Sequence, residues 1–365
     1  VTANAIRVAV VGCGRIAGHH CRSIAQVGGV ELAAVCDLVP EKAQAYGHEF
    51  AVPHYLDYRQ MLRENPDIDV VAVITPSGMH HEHAIEMIER WGKHIVVEKP
   101  TFMKPSQLID AYQKASAKGR HIFPVFQNRH NKAVKRVRQA IAQGELGEIR
   151  IVAVRTRWCR PQRYYDLAPW RGTFAQDGGC LTNQGIHHVD LLRHLGGEVE
   201  RVSASMRTQG ANIEVEDTVV ATFAYAGGKV GTLEVTTAAR PIDYEASISF
   251  VGSEGLAQIG GIAVNELQLF TPDPAACALH SEDFSGSVYG KGHEVIYQDI
   301  AAFFHQGEPY PVTREDALAS IRLLNAFYRS DEAEGAWVAA QGEGESTRLG
   351  RADEALARLY RTPGA

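Results

Sequence analysis

The sequence has no apolar run long enough to cross a bilayer, which removes the helical membrane-protein classes. A β-branched run opens within the first few residues and leaves no room for a secretory leader, so the expected compartment is the cytoplasm, with no membrane partner. The six cysteines (Cys13, Cys21, Cys36, Cys159, Cys180 and Cys277) show no CxxC or other metal-ligand spacing, and they read as reduced packing residues with no metal site among them. No basic arm or helix-turn-helix pattern is present and the formal net charge is −6, so nucleic acid is not an expected partner. What remains is 365 residues, 45% hydrophobic and 22% charged, enough for two domains with substantial cores.

The chain begins with a short β-branched run, Ile6 to Val11, then Gly12-Cys13-Gly14-Arg15-Ile16-Ala17 and a helical pattern from Ile16 to Val27. The glycines therefore sit at a strand-to-helix turn. There Gly12 permits the tight bend, Gly14 lets the backbone approach a pyrophosphate, and Ala17 allows close helix packing. The helix N-terminus offers free N–H groups to phosphates, with Arg15 and Ile16 completing the turn. A second apolar strand, Glu31 to Cys36, ends on Asp37, where a carboxylate can take the adenine-ribose hydroxyls. An acid at that place favours NAD over NADP as cofactor.

Short apolar strands continue to alternate with amphipathic helices to about residue 125: Val70 to Ile74, a helix from His83 to Trp91, His94 to Val97, a helix over Ser106 to Lys118, and Ile122 to Val125. This predicts a doubly wound parallel sheet, with Gly12, Asp37, Thr75-Pro76-Ser77 and Glu98-Lys99-Pro100 all at the carboxyl ends of strands, where ligands bind. After a helix at Asn131 to Gln143, longer alternating strands predict a mostly antiparallel sheet: Ile149 to Trp158, Val199 to Arg207, Val215 to Tyr225, Gly231 to Thr237, Ala246 to Val251 and Glu266 to Phe270. One helix is expected at Thr182 to Leu195, and two more at Glu294 to His305 and Arg314 to Arg329. The expected division is a dinucleotide domain over 1–125, a substrate and oligomerisation domain over 126–335, and a peripheral tail over 336–365.

The ordered segments GCGRIA, TPSGMHHEHA, GKHIVVEKP and DGGCLTNQGIHHVDLLRHLGG resemble the Gfo/Idh/MocA oxidoreductases over about residues 5 to 330. The resemblance implies an N-terminal Rossmann domain, a C-terminal open-faced sheet often used for oligomerisation, and nicotinamide-dependent chemistry on a sugar-like carbinol. It implies Lys99 and His187 as the pair flanking the reacting oxygen. It places His80 at the border of the cofactor crevice, where the strand ends also bring Thr75, Pro76, Ser77 and Glu98; His293, just before an expected helix, either approaches the nicotinamide or sugar or serves as a cap or surface residue. Many members have an aspartate where this chain has Asn183. An amide cannot relay a proton, so His187 becomes the better candidate base, with Lys99 polarising the oxygen and Asn183 orienting substrate.

Asn183, the segment Gln127-Asn128-Arg129-His130-Asn131, and Arg160 to Tyr165 leading into Trp170-Arg171 resemble a narrower branch, the UDP-N-acetyl-glucosaminuronate 3-dehydrogenases. That branch implies oxidation of the sugar C3 hydroxyl on the way to bacterial surface polysaccharide, with the reduced cofactor reoxidised by 2-oxoglutarate. Alternatives are another sugar or inositol dehydrogenase, a 3-ketosugar reductase, or a catalytically silent nicotinamide or sugar sensor.

Oxidising a secondary alcohol needs a group that takes the hydroxyl proton, and a lysine beside a cationic nicotinamide or a histidine can serve. Between Asn128 and Arg171 there are eleven Lys/Arg residues against three acids, which suits a diphosphate and a carboxylate. Arg129, Arg160 and Arg171 are the expected anion ligands. Tyr164, Tyr165 and Trp170 offer flat faces for the uracil or nicotinamide, Trp170 and Arg171 are grouped with the cofactor, and Gln127 and Asn131 with the substrate. Asn183 and His187, four apart on the expected helix, would share a face. Apolar residues on both faces of the second sheet predict a homo-oligomer, dimer or tetramer.

Overall fold

The computed structural model describes residues 5–284 and 289–362. The chain forms two compact units, one built from residues 5–125, 293–318 and 352–362, the other from 126–284, 289–292 and 319–351.

In the first unit the strands β1 (Ile6–Val11), β2 (Val30–Cys36), β3 (His54–Tyr55), β4 (Val70–Val73), β5 (His94–Val97) and β6 (Ile122–Pro124) form one sheet in the order β3-β2-β1-β4-β5-β6. Every pairing is parallel. Val and Ala dominate β1, β2 and β4, and Val8 to Val11 and Val70 to Val73 are buried, as strands covered by helices on both faces must be. The strand order reverses between β1 and β4, which makes this edge the topological switch point. Val11 pairs with both Cys36 and Val73, and Val73 with Val97, so Gly12, Asp37, Ile74 and Glu98 leave the sheet side by side.

The second unit holds β7 (Ile149–Arg157), β8 (Val199–Arg207), β9 (Thr218–Tyr225), β10 (Val230–Thr236), β11 (Glu245–Gly252), β12 (Leu256–Gly260), β13 (Glu266–Phe270) and β14 (Val338–Ala339). Their order is β13-β12-β11-β7-β10-β9-β8-β14, antiparallel throughout except for β7 with β10. Alternation puts Val152, Val154, Phe223, Leu233, Val235, Ile248 and Phe250 in the core, beneath the helix Ile186–Gly196 that packs on β7.

Three sequence expectations change. The single helix over Thr182 to Leu195 is two, Gly179–Asn183 and Ile186–Gly196, broken at Gly185. A Cβ on Gly185 would stand 2.9 Å from the Leu181 carbonyl oxygen, and its N–H bonds the Cys180 carbonyl at 2.8 Å, so the chain folds tightly back here. Asn183 and His187 thus belong to different helices. Residues 293–318 and 352–362, read as second domain and tail, cluster with the first unit. Tyr310 donates to the Pro124 carbonyl at 2.8 Å, and Phe303 meets Phe123 edge to face with ring centroids 5.3 Å apart. The rest of the tail is also built in: β14 extends the second sheet, and Leu349 is fully buried.

Candidate active site

In the first unit the glycine turn is shaped by what surrounds it. Gly12 adopts φ +101, and a Cβ there would lie 2.5 Å from the Ile74 carbonyl oxygen, so only glycine lets β1 pass β4 this closely. Gly14 faces open space within 4 Å of its Cβ direction, the clearance an approaching pyrophosphate needs. Asp37 accepts the Cys13 N–H at 2.7 Å through Oδ2 and the Val39 N–H at 2.8 Å through Oδ1. It thereby ties the end of β2 to the turn while remaining half-exposed. Arg15 is exposed, Ile16 half-buried, and Thr75 and Pro76 half-buried at the end of β4. Ser77 is buried at the start of a short 3₁₀ turn. These features fit an NAD dinucleotide: a bend without room for side chains, a helix start behind it, and a carboxylate one strand away.

His80 does not line an open surface. It is buried, with Nδ1 2.9 Å from the Pro100 carbonyl oxygen and Nε2 2.9 Å from that of Thr75, so it braces the loop after β5 against the loop after β4. Burial lowers its pKa, and the neutral ring this favours carries one N–H, enough to donate to one of the two carbonyls at a time. Lys99 is half-buried beside it, and its neighbour Glu98 is turned inward. Glu98 Oε1 lies 2.9 Å from His20 Nε2 and 3.1 Å from His293 Nε2, while Oε2 accepts the Lys99 N–H at 2.9 Å.

In the second unit Gln127 donates its amide to His187 Nε2 at 3.0 Å, and both side chains are buried. Asn183 donates to Asp177 Oδ1, and Asp177 Oδ2 accepts the Gly172 N–H at 2.7 Å, so the amide orients on its own chain. The three arginines differ. Arg129 is buried and forks onto Asp190 with bonds of 2.7 and 2.5 Å, and Asp190 also accepts from Ser320. Arg160 bonds Asp243 at 2.8 Å and lies over Trp158 and Tyr164. Among the described residues Arg171 makes no ion pair. Its guanidinium sits 4.3 Å from the Tyr164 ring centroid and 4.5 Å from that of Trp170, and it donates to the Tyr164 hydroxyl at 2.5 Å.

Two expected ligands are absorbed by packing. Tyr165 is buried with its hydroxyl 3.0 Å from Thr237 Oγ1, and Asn131 donates to the Ala263 and Val264 carbonyls at 3.0 and 3.2 Å. The sequence pattern does not single out His20, Tyr297 or Asp177, whose side chains support Glu98 and Asn183. Asp177 stands before Gly178-Gly179 and looks like a turn residue. His20, on the face of a helix otherwise filled by core residues, gives no signal until its partner from residue 98 is known.

Known proteins similar to this chain include two solved dehydrogenases and a sugar dehydrogenase, and two family models also match it. A WlbA dehydrogenase from Bordetella pertussis, solved in complex with NADH and UDP-GlcNAcA, is 36% identical, with 93% of this chain and 99% of that one covered at a TM-score of 0.87. The WlbA dehydrogenase from Chromobacterium violaceum, in complex with the same two ligands, is also 36% identical, with 93% and 97% covered at a TM-score of 0.84. D-glucoside 3-dehydrogenase of Escherichia coli K12 is 28% identical over 260 residues, 65% of this chain and 72% of that protein. Residues 6–126 match the oxidoreductase family with an NAD-binding Rossmann fold, and residues 134–258 match the GFO/IDH/MocA C-terminal domain. A glycine turn shaped for a dinucleotide, a parallel sheet followed by an antiparallel one, and these matches in chain order have one reading: the chain belongs to the GFO/IDH/MocA family of NAD-dependent oxidoreductases.

Proposed function

We propose that this protein oxidises the C3 hydroxyl of UDP-linked N-acetylglucosaminuronate to the 3-keto sugar, in the synthesis of bacterial surface polysaccharide. The observation that carries this reading is the 36% identity, sustained over nearly the whole of both chains, to a dehydrogenase solved with NADH and that sugar. A curated relative named for dehydrogenation at position 3 of a glucoside agrees with the reaction type. NAD supplies the hydride acceptor. The chain's own residues do the rest. His187 takes the hydroxyl proton at Nε2, whose lone pair accepts the Gln127 amide N–H until the sugar hydroxyl displaces that bond. Lys99 stabilises the developing alkoxide charge. Asn183, held by Asp177, orients the sugar, and Arg171 takes an anionic group in its fork.

The test is the nicotinamide absorbance of the purified protein on adding UDP-N-acetylglucosaminuronate and then 2-oxoglutarate. A rise reversed by 2-oxoglutarate supports C3 oxidation with recycling of the cofactor. NAD reduction by free glucosides or inositols, with silence toward the nucleotide sugar, overturns the substrate assignment and leaves the family intact. Lys99→Met and His187→Asn are each expected to lower kcat by about 100-fold or more while NAD affinity stays nearly the same. Unchanged kcat in either variant removes that residue from the mechanism.

A further inference from the structure

Three buried groups from separate parts of the first unit meet on one carboxylate. Glu98, at the end of β5, is 4% exposed. His20 comes from the helix Ala17–Gln26 that follows the glycine turn, and His293 from the first turn of the helix Gly292–Gln306. Both imidazoles present Nε2 to the same oxygen, Oε1, at 2.9 and 3.1 Å. A buried anion without donors is strongly disfavoured. Here burial does push the Glu98 carboxyl upward, but the hydrogen bonds from His20 and His293 outweigh it and hold the group well below the usual carboxylate range.

The proton positions follow. Ionised Glu98 only accepts, so each Nε2 carries the hydrogen it donates. Burial lowers the His20 pKa and favours the neutral ring, so its Nδ1 has a lone pair and accepts the hydrogen bond donated by the Tyr297 hydroxyl 2.8 Å away. Tyr297 is fully buried and its hydroxyl stays protonated, because burial raises its pKa. The second oxygen of Glu98 is thereby left to accept the backbone N–H of Lys99 at 2.9 Å. On the far side of Lys99, His80 holds the Pro100 carbonyl.

We propose that Glu98, fixed by His20, His293 and Tyr297, is the positioning residue for Lys99, setting where the lysine backbone leaves β5 and supplying a buried negative charge one residue from its amine. The proposal rests on the reading of Lys99 as the group that meets the reacting oxygen. The charge matters because it favours the protonated amine. His19, His20, His80, His293, Tyr297 and Lys99 are the titratable groups facing this carboxylate or its field, and His19 and His80 are held neutral by burial. A metal ion is the competing use of the same atoms, since the ligand atoms of His20, Glu98 and His293 lie within 4.8 Å of one another. It would require both Nε2 atoms to give up their bonds to Oε1 and turn lone pairs toward the ion.

The experiment compares wild type, Glu98→Gln, Tyr297→Phe and Lys99→Met for kcat, KM of NAD and of UDP-N-acetylglucosaminuronate, the pH profile of kcat/KM, thermal midpoint and bound metal. In Glu98→Gln, kcat is expected to fall about 10- to 100-fold with the KM of NAD nearly unchanged. The limb of the profile set by the amine moves to lower pH, because loss of the negative charge makes the amine easier to deprotonate. Tyr297→Phe is expected to change kcat in the same direction by less, and it carries the test should Glu98→Gln not fold. If Lys99→Met retains turnover, the reading of Lys99 fails. If Lys99→Met is inactive while the other two variants keep the wild-type kcat and profile, the positioning role is refuted. Stoichiometric zinc in the purified protein also refutes it.

Discussion

Arg171 stands apart from the other arginines expected to bind an anion, Arg129 and Arg160, in making no ion pair among the described residues. Of the arginines expected to bind an anion, Arg129 is committed to Asp190 and Arg160 to Asp243, and elsewhere in the segment Arg136 pairs with Glu145 and Arg157 with Glu234 and Glu245. Three of these four arginines are thus matched by acids from distant parts of the chain, which no local count of the sequence reveals. Arg171 is stacked on two aromatic rings and, among the described residues, its buried Nε has no partner, which supports the proposal that its charge meets a ligand. Arg171→Met is expected to raise the KM of the nucleotide sugar by about 10- to 100-fold, the scale of a charge-assisted bond, with a smaller effect on kcat. A rise confined to the KM of NAD would instead assign this guanidinium to the cofactor. The same comparison tells Arg171 apart from Arg129, whose replacement is expected to lower the thermal midpoint by uncovering buried Asp190.

At the level of elements, the broken helix at residues 179–196 carries the proposed site residues Asn183 and His187, and its support is a buried acid. Glu216 lies just before β9 and accepts the Leu181 N–H at 3.1 Å and the Tyr328 hydroxyl at 2.8 Å. Its carboxylate packs so closely on Gly179, at φ +82, that no side chain fits there. Burial raises the Glu216 pKa to about 8, against a reference of 4.5. Between those values the folded state holds a proton that the unfolded chain releases, so stability falls as pH rises through this window. Glu216→Gln, which imitates the protonated acid, is expected to flatten the pH dependence of the thermal midpoint between about pH 5 and 8 and to raise the midpoint at alkaline pH. Equal slopes in both proteins would show that Glu216 stays ionised. The parallel strands and the glycine turn were legible in the sequence because β-branched runs and glycine spacing are local signals. The break at Gly185 was not, because TNQGIHHVDLL has helical periodicity throughout and only packing against Leu181 and Val235 stops it. The helix Pro40–Phe50, the short helix Tyr58–Glu64 and two-residue β3 were likewise missed, having little apolar pattern of their own.

At the scale of the whole molecule, the unusual surface is the open face of the eight-stranded sheet. Ile151, Val220, Val230, Val251 and Leu256 are each 38–58% exposed. Cross-strand register sets Leu256 beside Val251, Val251 beside Ile151 and Ile151 beside Val230, so four of them form a continuous row across β12, β11, β7 and β10. Ala153, Thr232, Thr222 and Ser203 form the next row across β7, β10, β9 and β8, all small enough to let another flat surface approach. A contiguous apolar row flanked by small residues is costly to leave in water and is well shaped for burial against a second copy. We expect the protein to be a dimer or tetramer in solution, with this face inside it. The pair Ile151→Lys and Val220→Lys tests this by light scattering and thermal unfolding. Charges placed on β7 and β9 should shift the mass toward the monomer while the far-ultraviolet circular dichroism is retained, because both side chains point away from the unit's own core. A wild-type protein that runs as a monomer at all concentrations, or a double variant with unchanged mass, would place the interface elsewhere and leave this row as exposed sheet.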